Sequence, residues 1–366
     1  MIFLGITCQD QENTGKKGEE IISGEGDSSI ITINVDIPKI DTFYELKSDQ
    51  ILSSDTVWVG EDVPIKRVDQ VLKAKDQYIV YGYANNGIYT VNSKSGEAKR
   101  IVEKGKGPQE IMSVADMVYD LNGNHLLVAD QYLKKINRYG IDGEFLDIFH
   151  MDPPVRYLIG LENGIYLCST NSRQANEEFI GSWKPGNPLK GIDFKEECTE
   201  AVKFSSYNKF SKYDGNVFVT KSMDKQCNFV YKWNQRDSLW SPGYKLMLRK
   251  FLDEDDENIN MRLLRFIKIS DEDVYLELLI NRFLVKLLYH IPSKTGKAFR
   301  YFSIQNYALE HVGETIDNNL LLTSYKLKST LSRDENMFYM QAPPPPGGGG
   351  VVYETDHPII LEVSWN

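Results

Sequence analysis

Six short apolar runs, each introduced by a turn-forming residue, constrain the fold of this chain more than any other feature. They are Tyr78–Tyr81, Leu126–Ala129, Ile165–Cys168, Val217–Thr220, Val274–Glu277 and Leu320–Thr323, and they follow Asp76, Asn124, Gly164, Asn216, Asp273 and Asn319. Their start-to-start steps are 48, 39, 52, 57 and 46 residues, scattered around the roughly 40–50 residues of one four-stranded propeller blade. An amphipathic helix would place apolar residues at i, i+3, i+4 and i+7. These runs are too short and too rich in β-branched and aromatic residues for that.

The clearest unit is Met117–Phe149. A polar turn (Asp120, Asn122, Gly123, Asn124) leads into Leu126–Ala129, ending at Asp130. A second strand pattern, Lys135–Tyr139, and a turn at Ile141–Gly143 precede a third, Phe145–Phe149. Strands separated by such turns form an antiparallel meander. Further hairpin turns recur at Ser93–Gly96, Lys184–Asn187, Gln235–Asp237 and Ser293–Gly296, where Gly, Asn and Asp supply the positive φ of tight turns. The expected fold is therefore all-β: a six-bladed β-propeller of four-stranded antiparallel blades. A ring needs an end-to-end device, because an open last blade leaves an unpaired edge. The strand Ile30–Val35 is expected to close it by pairing in the last blade beside Ile359–Ser364. Residues 30–366 would form one domain, with a Pro/Gly-rich loop at 328–351 around Pro343–Gly350.

The Met117–Phe149 unit resembles an NHL repeat: Asp120, Gly123, Val128-Ala129-Asp130, Ile136, Arg138-Tyr139, Gly143 and Phe145 follow in that repeat's order. Gly105-Lys106-Gly107-Pro108-Gln109-Glu110 looks like the Gly-x-Gly-Pro-x-Glu signature of a six-bladed propeller family of bacterial envelope lipoproteins. The layout is similar across nearly the whole chain, with most specific agreement in the first two blades. The resemblance implies a cell-envelope location and no established activity.

The N-terminal segment fits that implication. Met1–Cys8 (MIFLGITC) resembles the end of a lipoprotein signal, with Cys8 the lipidated residue. It lacks the basic start and full apolar core of a complete signal, so the true start is expected upstream. Residues 9–29 are polar and glycine-rich, the composition of a flexible tether. No other apolar stretch approaches the roughly 20 residues that span a bilayer, so membrane attachment would be by lipid anchor only, in the outer membrane or periplasm.

Chemistry is harder to find. A net charge of −10 argues against nucleic acid, whose partners usually carry a basic face. The five histidines (125, 150, 290, 311, 357) lack metal-ligand spacing, and Asp120–Asn124 lacks the twelfth-position acid of a calcium loop. The acidic run Asp253–Glu257 reads as a solvated loop. Cys168 reads as a core residue, and a Cys198–Cys227 bridge is an open option. Gly105–Pro108 reads as a structural crossover, and Asp130 as a side chain bonded to nearby backbone amides. No catalytic residue, metal or cofactor is assigned.

Function on a propeller resides in grafted loops. Those after the second strand of each blade carry Asn85 and Asn86, Gln131 and Tyr132, Asn171 to Arg173, Asp224 and Lys225, Asn281 and Arg282, and Tyr325 and Lys326, with Lys104 and Lys106 on the first crossover. A polar or anionic ligand is expected near Gln131, Tyr132, Arg173, Arg282 and Lys326. The reading is a monomeric, non-enzymatic, envelope-tethered propeller that binds a glycan, a peptide or an envelope protein. Two alternatives stay open: a lactonase- or lyase-type enzyme with its site at the central axis, and a structural platform in a surface assembly.

Overall fold

A computed structural model describes residues 30–46, 57–58, 65, 68–83, 85–161, 164–170, 180–192, 194, 210–222, 228–252, 254–255, 261–281, 283–304, 307–314, 320–327 and 359–363. These residues contain 27 strands and no helix. The chain opens with β1 (Ile31–Ile37), β2 (Asp41–Glu45) and β3 (Val57–Trp58). The first blade follows as β4 (Gln70–Ala74), β5 (Gln77–Tyr81), β6 (Gly87–Asn92) and β7 (Ala98–Glu103). The second is β8 (Val114–Asp120), β9 (His125–Asp130), β10 (Lys135–Gly140) and β11 (Phe145–His150). The third is β12 (Val155–Gly160), β13 (Tyr166–Thr170), β14 (Ile180–Trp183) and β15 (Lys190–Gly191). The fourth is β16 (Phe210–Tyr213), β17 (Asn216–Ser222), β18 (Asn228–Asn234) and β19 (Leu239–Phe251), with β20 (Glu254–Asp255) folded back on β19. The fifth is β21 (Met261–Lys268), β22 (Asp273–Ile280), β23 (Phe283–His290) and β24 (Thr295–Ile304). The last takes β25 (Tyr307–Glu314), β26 (Leu320–Leu327) and β27 (Ile359–Val363).

Backbone hydrogen bonds gather these strands into five sheets. Four hold one blade each. The fifth is nine-stranded and carries two consecutive meanders, β21–β24 and β25–β26–β27–β3, joined where the end of β24 pairs with β25. The packing resolves the ring. Six apolar clusters each join one blade to the next, from Ile79 and Ile88 against Leu126 and Val128 round to Ile360 of the last blade against Val71 and Tyr78 of the first. β25 contacts β4, which returns the ring to its start.

Each of the six apolar runs is the second strand of its blade: β5, β9, β13, β17, β22 and β26. A second strand is covered on both faces by neighbouring blades. It therefore reads as a continuous apolar run rather than an alternation. Ile79, Val80, Leu126 to Ala129 and Val274 to Leu276 are fully buried. Cys168, on β13, is a buried free thiol that burial pushes well above the ordinary range. That makes it an inert packing residue.

The N-terminal chain corrects one expectation. Ile31–Ile37 does not lie beside the C-terminal strand. It runs parallel to β19, from Ile31 opposite Tyr244 to Ile37 opposite Phe251. Its alternation points Ile33, Val35 and Ile37 into the cluster between the fourth and fifth blades, and the long outer strand β19 offers the edge that cover requires. The Tyr289 hydroxyl and the Arg249 guanidinium both donate to Asn34, at 3.0 and 3.1 Å. Next, β2 runs parallel to β24. Closure falls to β3, antiparallel to β27 with Trp58 opposite Ile359 and Val57 opposite Ile360. The N-terminal segment thus does complete the last blade, through a later pair of residues than expected. Another correction concerns the acidic run: Glu254 and Asp255 form a strand rather than a loop.

At the innermost strands, Asp116 ties three blades together. Its Oδ1 accepts from Gln70 Nε2 on β4, and its Oδ2 accepts from the Leu158 amide on β12 at 2.8 Å. Asp116 is 8% exposed, so losing it strands a buried amide side chain and a buried N–H. Each such group costs on the order of 1–3 kcal/mol. Asp116→Ala should lower the unfolding free energy by about 2–4 kcal/mol in denaturant titrations, with Asp116→Asn retaining part of it. A loss below about 0.5 kcal/mol, the scale of an ordinary surface substitution, would contradict this role.

Candidate functional site

The loops after each second strand and the crossovers between blades share one face. Between the first two blades that face is built around Gly105–Glu110. The segment is pinned at its ends, with the Gly105 amide donating to Ile111 O at 2.8 Å and the Gly107 amide to Glu110 Oε2 at 2.8 Å. Three residues of β10, at alternate positions and so on one side of the strand, capture its carbonyls. Lys135 Nζ donates to Gly107 O, Pro108 O and Glu110 O at 3.1, 3.0 and 2.8 Å. Asn137 Nδ2 donates to Pro108 O at 3.1 Å and to the Tyr139 hydroxyl at 2.7 Å. The Tyr139 hydroxyl in turn donates to Gln109 O at 3.1 Å. Burial pulls the Lys135 ammonium below its ordinary range, against the opposing pull of Asp130 and Glu110. Burial pushes Tyr139 up to about 12, so its hydroxyl stays a donor at neutral pH. The crossover is a structural clamp, as the sequence suggested, and its carbonyls are already engaged.

Asp130 presents the neighbouring loop. Its Oδ2 accepts from the Met112 amide at 2.6 Å and its Oδ1 from the Leu133 amide at 2.9 Å. The next residues are half-buried Gln131 and Tyr132, which is 65% exposed. Across the crossover, Tyr83 is also exposed, with Lys104 Nζ 4.7 Å from its ring centroid and bonded to its carbonyl at 3.2 Å. The first blade's Asp69 fixes the Tyr83 backbone, accepting from its amide at 2.7 Å. Two tyrosines and a lysine therefore stand on loops held by buried or backbone-bonded carboxylates. The Gly143 hairpin supports the same junction from outside: at φ +95°, an added Cβ would lie 2.4 Å from Ile101 O of the first blade.

Residues 33–307 match the family described as DUF5128, 6-bladed beta-propeller. The chain belongs to that family. Among solved structures, a Bacteroides fragilis protein described as exported aligns over 92% of this chain and 99% of its own, at 14% identity and TM-score 0.58. The RRP9 WD40 repeats align over 86% and 99%, at 9% identity and TM-score 0.53. These likenesses are of fold. No curated protein matches the chain.

In this DUF5128 propeller, Gln131 and Tyr132 follow Asp130 on the loop bonded to the end of the crossover at Met112. Arg173, Arg282 and Cys8 lie outside the described residues, as do Cys198, Cys227 and residues 328–351. Tyr325 and Lys326 belong to strand β26 rather than to a loop, Lys326 pairing with Ala308. Asn85 is buried rather than solvated. Tyr83 is the residue that sequence reasoning missed, since its loop was read through Asn85 and Asn86.

Charged groups near the inner strands are engaged. Arg265 lies 3.8 Å from Glu277, which also accepts from the Tyr275 hydroxyl at 2.9 Å. Arg156 stacks 5.5 Å from the Tyr157 ring. Burial raises the Tyr157 hydroxyl, with Asp116 adding to it and Arg156 and Arg265 opposing. Among the described residues no three His, Cys, Asp or Glu side chains are placed to hold a metal ion. The opposite face, made of the tight hairpin turns, has a groove of about 460 Å³ beside the fourth blade.

Asp120 organises one of those opposite turns. It accepts from the amides of Asn122 and Gly123 at 2.9 and 3.2 Å and from the Tyr166 hydroxyl at 2.7 Å, with His125 Nε2 at 3.4 Å. Burial raises its carboxyl, but the Tyr166 hydroxyl, the Gly123 amide, His125 and the Asn122 amide together hold it below the usual range. A depressed carboxyl stabilises the fold above its unfolded pKa, and that contribution is lost as pH falls through the folded value. The stability difference between wild type and Asp120→Asn should be largest near pH 6 and shrink as pH falls towards about 3. Urea unfolding across that range checks it, and a difference that grows on acidification would contradict it.

Proposed function

We propose that this chain is an exported, envelope-tethered propeller that binds a ligand or protein partner through the face carrying Tyr83, Lys104, Gln131 and Tyr132, without chemistry at that face. The observation that carries the reading is the exposure of Tyr132 on a loop anchored by a buried carboxylate. A large aromatic held rigidly in solvent loses little entropy on binding and offers both an apolar face and a hydroxyl. The Tyr83–Lys104 pair adds a second aromatic platform with a cation beside it. That chemistry suits a glycan or a peptide, and Arg173, Arg282 and Lys326 are the further contacts in this proposal.

Export is supported by the likeness to the exported Bacteroides fragilis protein, and no helix among the described residues is long and apolar enough to cross a membrane. A lipid on Cys8, with residues 9–29 as tether, is the anchor consistent with that location.

The test is a glycan and peptide array probed with the full chain. Tyr83→Ala with Tyr132→Ala should weaken the ligand so found about tenfold or more, the scale of an aromatic anchor, with the melting temperature unchanged. Undiminished binding in that variant would refute this face as the site.

A further inference from the structure

The groove on the opposite face lies between the third and fourth blades and has its own chemistry. Leu161, in the first turn of the third blade, and Trp233, at the end of β18, supply its apolar lining. Lys212, Lys232 and Arg236 bring three cations to it. All three are exposed, and among the described residues none has an ion-pair partner. No Asp or Glu appears among the described lining residues. Two exposed carboxylates stand close by: Asp237, next to Arg236, with its Oδ2 accepting from Asn234 Nδ2 at 2.6 Å, and Asp214, in the turn before Gly215. On a chain of net charge −10, three cations against these two carboxylates leave the concavity net positive, which raises the local concentration of anions.

Trp233 belongs mainly to the core between the third and fourth blades. It is 8% exposed, and its indole N–H has no acceptor among the described residues. That N–H is closed to solvent, as is the unpartnered indole N–H of Trp240, whose ring centroid lies 5.3 Å away, so it belongs to the packing between blades rather than to a contact offered to a ligand. The turn that follows is rigid. Asn234 Oδ1 accepts from the Arg236 and Asp237 amides at 3.0 and 3.3 Å, so the groove's edge is formed in advance of any ligand.

We propose that this groove is a second binding site, distinct from the Tyr132 face, and that it takes an acidic sugar. Lysine and arginine bond a carboxylate through charge-assisted hydrogen bonds. Asn216, Gln235 and Ser241 also line the groove and offer hydrogen bonds to sugar hydroxyls, while Leu161 and the accessible edge of Trp233 give a small apolar patch. About 460 Å³ is at the small end of ligand pockets, room for one or two rings rather than a polymer section. A bare inorganic anion would use the cations and leave the Asn216, Gln235 and Ser241 side of the groove unfilled.

The experiment is calorimetric titration of the full chain with digalacturonate, with lactose as the neutral disaccharide and inorganic sulfate as the bare anion. Saturable binding of digalacturonate is expected at low salt, falling at least tenfold at about 0.5 M NaCl, where exposed charges are screened. The Lys212→Glu, Arg236→Glu double variant should lose at least tenfold in affinity while keeping its melting temperature. Tyr132→Ala should leave this binding unchanged, so failure here is separable from failure at the other face. No binding to wild type, undiminished binding to the charge-reversal variant, loss of binding in Tyr132→Ala, or equal binding of lactose or sulfate would each overturn the proposal.

Discussion

Ring closure is the constraint on which the rest of this structure depends. Each blade buries its apolar faces only against its neighbours, so six interfaces must all be made, including the one that brings Ile360 of the last blade against Val71 and Tyr78 of the first. The chain emerging from β26 supplies one more strand to that blade, and the fourth comes from Val57 and Trp58. On the way there, the same N-terminal stretch lays β1 along β19 and β2 along β24. It thereby covers the outer edges of the fourth and fifth blades before completing the sixth. The outer strands of the first and third blades are protected differently. β7 exposes Lys99, Arg100 and Glu103, and β15 is two residues long, both ordinary devices against edge pairing.

The six-fold repeat was legible because it rests on second strands. Two neighbouring blades bury such a strand on both faces, so Leu126–Ala129 and its counterparts appear as unbroken apolar runs. Outer strands carry no such signal, and Lys190–Gly191 could not have been read as a strand from its residues. The alternation of Ile31–Ile37 was also legible as a strand with one buried face. Its partner was not, because alternation tells which residues need cover and not which edge provides it. Val57–Trp58 is too short to show any period at all.

The candidate sites divide in the same way. Asp130 and the crossover at Gly105–Glu110 were readable as structural devices, since turn chemistry and a strand-end carboxylate are local features. The side chains that hold the crossover were not readable in that role. Lys135, Asn137 and Tyr139 look like an ordinary strand, and only the fold brings them under four carbonyls. Tyr132 was legible from its position after Asp130. The opposite groove was not, because Lys212, Trp233 and Arg236 lie on separate strands and turns. An aromatic between cations in Lys232-Trp233-Asn234-Gln235-Arg236 was the one sequence hint available.

Disulfide trapping tests the closure most directly. In a background with the native cysteines replaced, Trp58→Cys and Ile359→Cys place two thiols on directly opposed residues. The account predicts rapid, near-complete cross-linking under mild oxidation, read by mass spectrometry, with the folded state more stable to denaturant than its reduced form. It also predicts no cross-link between Ile33→Cys and Leu361→Cys, the pairing of Ile30–Val35 with the C-terminal strand. Failure of the first pair to form, or formation of the second in its place, would contradict it.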